Sequence, residues 1–215
     1  MRKFLMLPLL AISLSGCSGL FTTKSQPMSE YTLAPAVSSS AATTSICNAV
    51  LRVSTVQASP PWSSNNLVYT ETPYQVSSFA YHRWAAPPAT MLSDALVKAL
   101  AASGLYRVVL GPTDPGNGDL TLAIRILQGP VQHFSGTGAG SDMGGSSAET
   151  FAFAAALTDT GSGQLYASKE FSAETEAAPN PYSGVVAANK VTGELIDRLV
   201  KWLGSVNTGE ACRSH

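Results

Sequence analysis

Apolar and polar positions change period along this chain, and the changes mark its elements. From Ile46 to Val56 the pattern is that of a strand, with Leu51 and Val53 opposite Arg52 and Ser54. Leu67–Thr70 and Tyr74–Trp84 are β-rich runs separated at Pro73. Pro87 and Pro88 then open a helix, because proline suits a first turn. In that helix Met91, Leu92, Ala95, Leu96, Ala99 and Leu100 recur at helical spacing, Asp94 and Lys98 face outward, and Gly104 is a suitable terminator. Tyr106–Leu110 reads as a strand. Leu120, Leu122, Ile124 and Ile126 alternate with Thr121, Ala123 and Arg125 in another. Phe151, Phe153, Ala155 and Leu157 mark a further strand, which turns at Asp159–Gly163 and pairs back through Gln164–Phe171. Pro181 starts a last helix with an apolar face of Tyr182, Val185, Val186, Leu195, Ile196, Leu199 and Leu203, weakened by Gly184 and Gly193. The order strands, helix, strands, helix predicts an α+β fold: one mostly antiparallel sheet with two amphipathic helices packed on one face.

The remaining stretches are low in apolar content. Residues 36–45 are small and of low complexity and read as a connector. Tyr31-Thr32-Leu33 predicts a short strand ended by Pro35, and the Gly- and Ser-rich run 135–148 is expected to hold no regular structure. The expected organisation is a leader at 1–16, a tether at 17–45 that includes the strand at 31–33, a domain at 46–205, and a tail at 206–215.

The leader decides the compartment. Arg2 and Lys3 precede an apolar run from Phe4 to Leu14, eleven residues long. That run is too short to span a bilayer of about 30 Å, but suits the core of a secretory signal. Leu14-Ser15-Gly16-Cys17 follows, the lipobox pattern of bacterial lipoproteins, in which the Cys17 thiol takes a diacylglycerol through a thioether. The bland alternative is a free cysteine in an ordinary secretory signal. Each buried CH₂ contributes about 0.8 kcal/mol, so two or three acyl chains hold a protein on a membrane stably. Ser18 stands where an aspartate would favour retention in the inner membrane. The expected location is the periplasmic side of the outer membrane of a Gram-negative cell.

Composition agrees. Cleavage before Cys17 leaves 11 basic and 14 acidic side chains, a net of −3. That excludes the basic stripe of a nucleic-acid binder. Cys47 and Cys212 remain, an even number in an oxidising compartment, which suggests a disulfide; two unpaired thiols are the alternative. Neither has a Cys-x-x-Cys partner, which argues against redox or zinc chemistry.

Catalytic signatures are absent from the sequence. There is no GxSxG, HExxH or GxxxxGK[ST] pattern. Gly136, Gly138 and Gly140 open no helix and precede no lysine. His82, His133 and His215 are dispersed. The sequence therefore predicts no enzyme, no metal and no cofactor. Arg83-Trp84 admits two readings: Trp84 packs beneath the first helix, or the pair contacts a partner, since Trp, Tyr and Arg dominate interface hot spots. Tyr69, Tyr74 and Tyr81 share that ambiguity. Trp62, beside Pro60-Pro61, is either a hydrophobic plug or a partner contact, and Trp202 reads as core. The partner-binding candidates are Trp62, Tyr81, Arg83 and Trp84.

The run Leu67–Val109, with Val68-Tyr69 and then Tyr81, Arg83, Trp84, Pro87 and Pro88 leading into an amphipathic helix, resembles the ABC-type transport auxiliary lipoprotein family, whose best-known branch is paraquat-inducible protein C. The lipobox, Tyr31-Thr32-Leu33 and Leu51-Arg52-Val53 stand in the family's order. The resemblance implies a non-enzymatic, membrane-anchored accessory of an ABC transport system that moves lipids between inner and outer membranes. Its implied partners are an MCE-domain periplasmic protein, the membrane itself and other copies of the chain. The alternative is a stand-alone lipid-binding lipoprotein holding one lipid between sheet and helices.

Overall fold

The structure, a computed structural model, describes residues 26–36, 47–135 and 145–212. Cys17 and Gly136, Gly138 and Gly140 lie outside them, as do His215 and the first residue of the strand expected from Ile46.

The described strands are β1 (Ser29–Tyr31), β2 (Cys47–Val53), β3 (Asn66–Thr70), β4 (Ser77–Trp84), β5 (Tyr106–Leu110), β6 (Leu120–Ser135), β7 (Ser146–Asp159) and β8 (Leu165–Ala177). Helix α1 (Pro88–Ser103) precedes β5, and α2 (Pro181–Ser205) follows β8. The sheet is built on β6, which pairs along its length with antiparallel β7, itself paired with antiparallel β8. Along its other side β6 serves two wings. Leu120–Leu122 pairs with parallel β2, which carries β5. Val131–His133 pairs with parallel β3, which carries β4 and then β1.

The sheet is thus mixed, not mostly antiparallel. Alternation of side chains reports which face of a strand is buried but carries no strand direction. Direction follows from the connections. Helix α1 carries the chain back along the sheet, so β5 enters parallel to β2.

Between the wings β6 changes register twice, between Ile126 and Gln128 and between Gln128 and Val131. A single bridge, Gln57 to Arg125, spans the gap, and Trp62 closes it. A Cβ on Gly129 would lie 2.8 Å from Trp62 Cε3, so the indole lies directly on the glycine. Trp62 packs on the core cluster and fills the gap, while part of it stays exposed.

The core lies between the sheet and both helices. Leu92, Leu96 and Leu100 of α1, Val191, Leu195, Ile196 and Leu199 of α2, and Leu51, Leu122, Ile124, Phe151, Phe153 and Leu157 of the sheet form one cluster. A second cluster joins Leu33, Leu67, Trp84, Val185 and Ala188. Trp84 is 0% exposed there, with Met91 of α1 packed against the group. That burial takes Trp84 out of the set of surface contacts.

Both helices begin with proline. Asn180 caps α2, its side chain accepting from Ser183 N–H at 2.9 Å. Gly104 ends α1 at φ 66°, a conformation glycine adopts at little cost. The two glycines that weaken the periodicity of α2 are positions where other segments approach the helix closely. A Cβ would lie 2.5 Å from Gln132 Oε1 at Gly184 and 2.7 Å from the Ala36 carbonyl at Gly193. Tyr182 and Val186, assigned by spacing to the apolar face, are exposed, because the first turns of α2 turn Gly184, Val185 and Ala188 toward the sheet and leave positions 182 and 186 off the buried stripe.

Several boundaries move: β2 ends at Val53, short of Val56, and β4 starts at Ser77, not Tyr74. β1 starts two residues before the predicted strand, and Leu33 is buried beyond it. Ala34 N–H donates to Asn189 Oδ1 at 2.7 Å, so residues the sequence places in the tether are packed on α2. β8 runs on to Ala177. Ser135 and Ser146–Ala148, expected to be irregular, extend β6 and β7, because ladder hydrogen bonds need only backbone. Cys47 and Cys212 form a disulfide that ties the start of β2 to a final turn of 3-10 helix at Gly209–Cys212, 165 residues apart.

Candidate docking surface

One end of the sheet gathers features that no other part of the fold explains. β3 runs parallel to β6 toward His133 and turns there through residues 71–76 into β4. β7 starts and β8 ends at the same place, and α2 begins beside them, with the Ala178 and Asn180 carbonyls accepting from Gln132 Nε2 at 3.0 and 3.2 Å. β1 runs parallel to β4, so Gln26–Met28 enter from this end too.

Aromatic rings line it. Tyr31 stacks on His82 at 5.8 Å between centroids, and their Oη and Nδ1 atoms are hydrogen-bonded at 2.9 Å. Tyr182 of α2 adds a tilted contact to Tyr31 at 6.4 Å. Phe79 meets His82 edge-on at 6.0 Å and Tyr69 at 4.4 Å, and Phe134 closes the chain of rings against Tyr69 and Phe79. Tyr69 and Tyr31 are partly buried. Tyr74 is not: it stands at the tip of the β3–β4 turn with 107% relative exposure.

The predicted contacts scatter. Tyr81 is 46% exposed on β4 and free to meet a partner. Arg83 is engaged by Glu30 of the neighbouring strand, its Nε donating to Glu30 Oε1 at 2.9 Å, with both side chains about half exposed. Trp84 is internal and Trp62 plugs the sheet. Trp202 is partly buried, its ring edge-on to Phe171 at 5.7 Å. Sequence reading could not separate Tyr74 from Tyr69 and Tyr81. The signal lay in its neighbour: proline before a turn residue predicts the second position of a turn, and so a third position of unusual conformation.

The face of the sheet away from the helices offers two hollows. A groove of about 740 Å³ is lined by Ala123, Arg125, Ala154, Ala156, Lys169 and Glu170. A second, of about 720 Å³, holds His133, Gln128, Thr150, Glu174 and Glu176. In it Thr70 Oγ1 lies 2.6 Å from His133 Nδ1 and Thr150 Oγ1 lies 2.8 Å from Nε2. Gln128 Nε2 donates to Thr150 Oγ1 at 2.7 Å and lies 3.2 Å from His133 Nε2. Partial burial lowers the His133 pKa, opposed by the charge of Glu174. A hydroxyl in contact with an imidazole resembles a nucleophile and base, but the orienting partner on Nδ1 is the Thr70 hydroxyl, not the carboxylate that would stabilise an imidazolium.

On the opposite face Glu149 is buried, and burial raises its carboxyl well above the usual carboxylate range. It sits across the strand pair from buried Gln132, whose Oε1 has no hydrogen-bond partner among the described residues. No group of three or more metal-ligating side chains occurs among the described residues, and no helix among them is long and apolar enough to cross a membrane.

Comparison places this architecture among known proteins. A Xanthomonas campestris protein of the DUF330 family superposes with a TM-score of 0.70 at 20% identity, covering 81% of this chain and 94% of that one. An uncharacterised protein superposes with a TM-score of 0.59 at 19% identity, covering 84% and 98%. At such identities the likeness speaks for the fold. A minor lipoprotein from Acinetobacter baumannii is more distant, with a TM-score of 0.41 at 7% identity, covering 73% of this chain and 92% of that one. No curated protein sequence matches the chain. The family model described as the ABC-type transport auxiliary lipoprotein component matches residues 31–200, from the strand beside β4 almost to the end of α2, and the chain belongs to that family.

Proposed function

We propose that this protein is a non-enzymatic outer-membrane lipoprotein that serves an ABC/MCE-type system moving lipids between the two membranes. Acyl chains on Cys17 would hold it on the periplasmic face, and the sheet-helix domain would engage an MCE-domain protein. The observation that carries the reading is the family match over residues 31–200, in a chain whose residues 14–17 read Leu-Ser-Gly-Cys. Tyr81 is the predicted contact that stays presented, and the groove beside Arg125 and Glu170 offers a second surface.

The space between sheet and helices is filled by side chains such as Phe151, Phe153, Leu122 and Leu195, which favours positioning of a partner over storage of a lipid there. Photo-crosslinking from position 81 in cells that express the cognate MCE protein tests the reading. The expected result is an adduct with that protein, and detergent sensitivity in a strain lacking the lipoprotein. Absence of an adduct together with unchanged resistance would overturn it.

A further inference from the structure

Tyr74 holds a conformation that costs free energy, in a place where no packing among the described residues offsets it. Gln75 N–H donates to the Thr72 carbonyl at 3.3 Å, closing a turn with Pro73 in its second position and Tyr74 in its third, at φ 66°. Glycine or asparagine is the ordinary residue there. For a residue with a Cβ the left-handed region is unfavourable, and such a conformation in a bulky residue points from the outlier toward a role. The ring makes no repayment by packing, since it is fully exposed.

Its neighbours on the same end are also apolar and exposed. Met28, Val76, Tyr182 and Val186 join Tyr74, five of the eight large apolar side chains left exposed among the described residues. Val108 and Leu165 lie at the opposite end, beside the start of β6 and the β7–β8 turn. The chain itself says what faces this end. Met28 enters β1 from this side, and eight residues lie between Cys17 and Gln26, so nine residue-to-residue steps separate the two. At about 3.3–3.6 Å per residue they span at most about 30 Å. An anchor at Cys17 therefore keeps this end, not the Val108 end, next to the bilayer. The turn residues from Thr72 to Val76 carry no charge. A tyrosine ring with an apolar body and a polar hydroxyl suits the membrane–water boundary.

We propose that this end of the domain rests on the bilayer that holds the Cys17 acyl chains, with Tyr74 seated among the lipid headgroups and Val76, Met28 and Tyr182 around it. The proposal rests on acylation of Cys17. Docking fixes the tilt of the domain, and so the direction in which the Tyr81 surface faces the periplasm. Because the contact is apolar and not ionic, it tolerates salt.

The test uses the mature acylated lipoprotein on phosphatidylethanolamine/phosphatidylglycerol vesicles. With Cys17 acylated and Cys47 bonded to Cys212, Tyr74→Cys provides one free thiol for an environment-sensitive dye, and Val108→Cys provides the control. The expected result is a blue shift at position 74 and loss of its emission when the lipids are brominated near the headgroup, in low and high salt alike, with position 108 unchanged. Hydrogen exchange on the unsubstituted lipoprotein is the second measurement. Amides 71–76 should exchange more slowly on vesicles than in the Cys17→Ser chain in buffer, while 106–110 should not. An acylated, vesicle-bound protein whose position 74 stays in water and whose turn gains no protection overturns the docking and leaves the anchor intact. A shift at position 74 that appears only when a protein partner is added overturns it as well. A mature chain whose intact mass shows no acyl groups overturns the anchor and the docking together.

Discussion

Trp62 Cε3 lies 2.8 Å from the point where a Cβ on Gly129 would stand, and this contact seals the gap at which the sheet divides into two wings. Gly129→Ala must move the indole or the β6 backbone. Forced overpacking of this kind costs about 1–3 kcal/mol, to be read as a lower urea midpoint with a red shift of Trp62 emission. Trp62→Ala should itself destabilise. The double variant should lose less than the two single losses added together, because both act through the same contact. Additive losses would separate the two residues.

Gly193→Ala sets two effects against each other. Alanine in a helix interior is favoured over glycine by about 1 kcal/mol. The new methyl, however, would lie 2.7 Å from the Ala36 carbonyl, a backbone atom that cannot rotate away. The expected outcome is release of the β1 segment, seen as faster proteolysis near residues 29–36 with α2 retained. A rise in Tm would show that the helix effect prevails.

Tyr74→Gly is expected to stabilise the domain. Removing the Cβ relieves about 1–2 kcal/mol of left-handed strain, and the added freedom of the unfolded chain takes back about 0.5–1 kcal/mol. The net gain of about 0.5–1 kcal/mol should appear as a higher urea midpoint with unchanged slope. A loss of stability would mean that the ring supports the fold.

Reducing the Cys47–Cys212 bond, or replacing both residues with alanine, frees a loop closed over 165 residues. Chain entropy puts the cost on the order of 4–5 kcal/mol, and native disulfides typically return about 2–4 kcal/mol. Urea unfolding with and without reductant measures it. The end that carries the β3–β4 turn should stay folded longest, since the bond ties down the opposite end.

Two groups give the pH dependence opposite signs. Glu149 has a raised pKa in the folded state, so the fold holds its proton more tightly than the unfolded chain does. Its contribution is full below the unfolded carboxylate value and is lost as pH rises through the folded one. Glu149→Gln, which mimics the protonated acid, should therefore gain on the wild type as pH is raised. His133 has a lowered pKa, so its contribution is full at high pH and is lost as pH falls below the ordinary imidazole value. His133→Gln should flatten the acid side of the stability profile. Parallel urea titrations of the three proteins across pH 4–9 check both signs; an unchanged profile in either variant refutes its half.

The elements themselves were legible in the sequence. The alternation of Leu120, Leu122, Ile124 and Ile126, the helical spacing of Leu92, Leu96 and Leu100, the helix-opening prolines Pro87 and Pro181 and the terminator Gly104 all depend on local geometry, which the sequence carries directly. The family could be read there too, because order along the chain is a property of sequence. Tertiary structure decided what depends on residues far apart. Strand direction is set by connections, so the sheet is mixed. Whether Trp62, Trp84 or Tyr81 meets solvent is set by what else occupies the space: Trp84 disappears beneath α2, Trp62 fills a gap left by Gly129, and Tyr81 stays outside. Glycines that look like weak points in α2 are sites of close approach. An exposed tyrosine at positive φ becomes visible only once the backbone has been folded, since hydrophobicity is a property of a residue and exposure is a property of its surroundings.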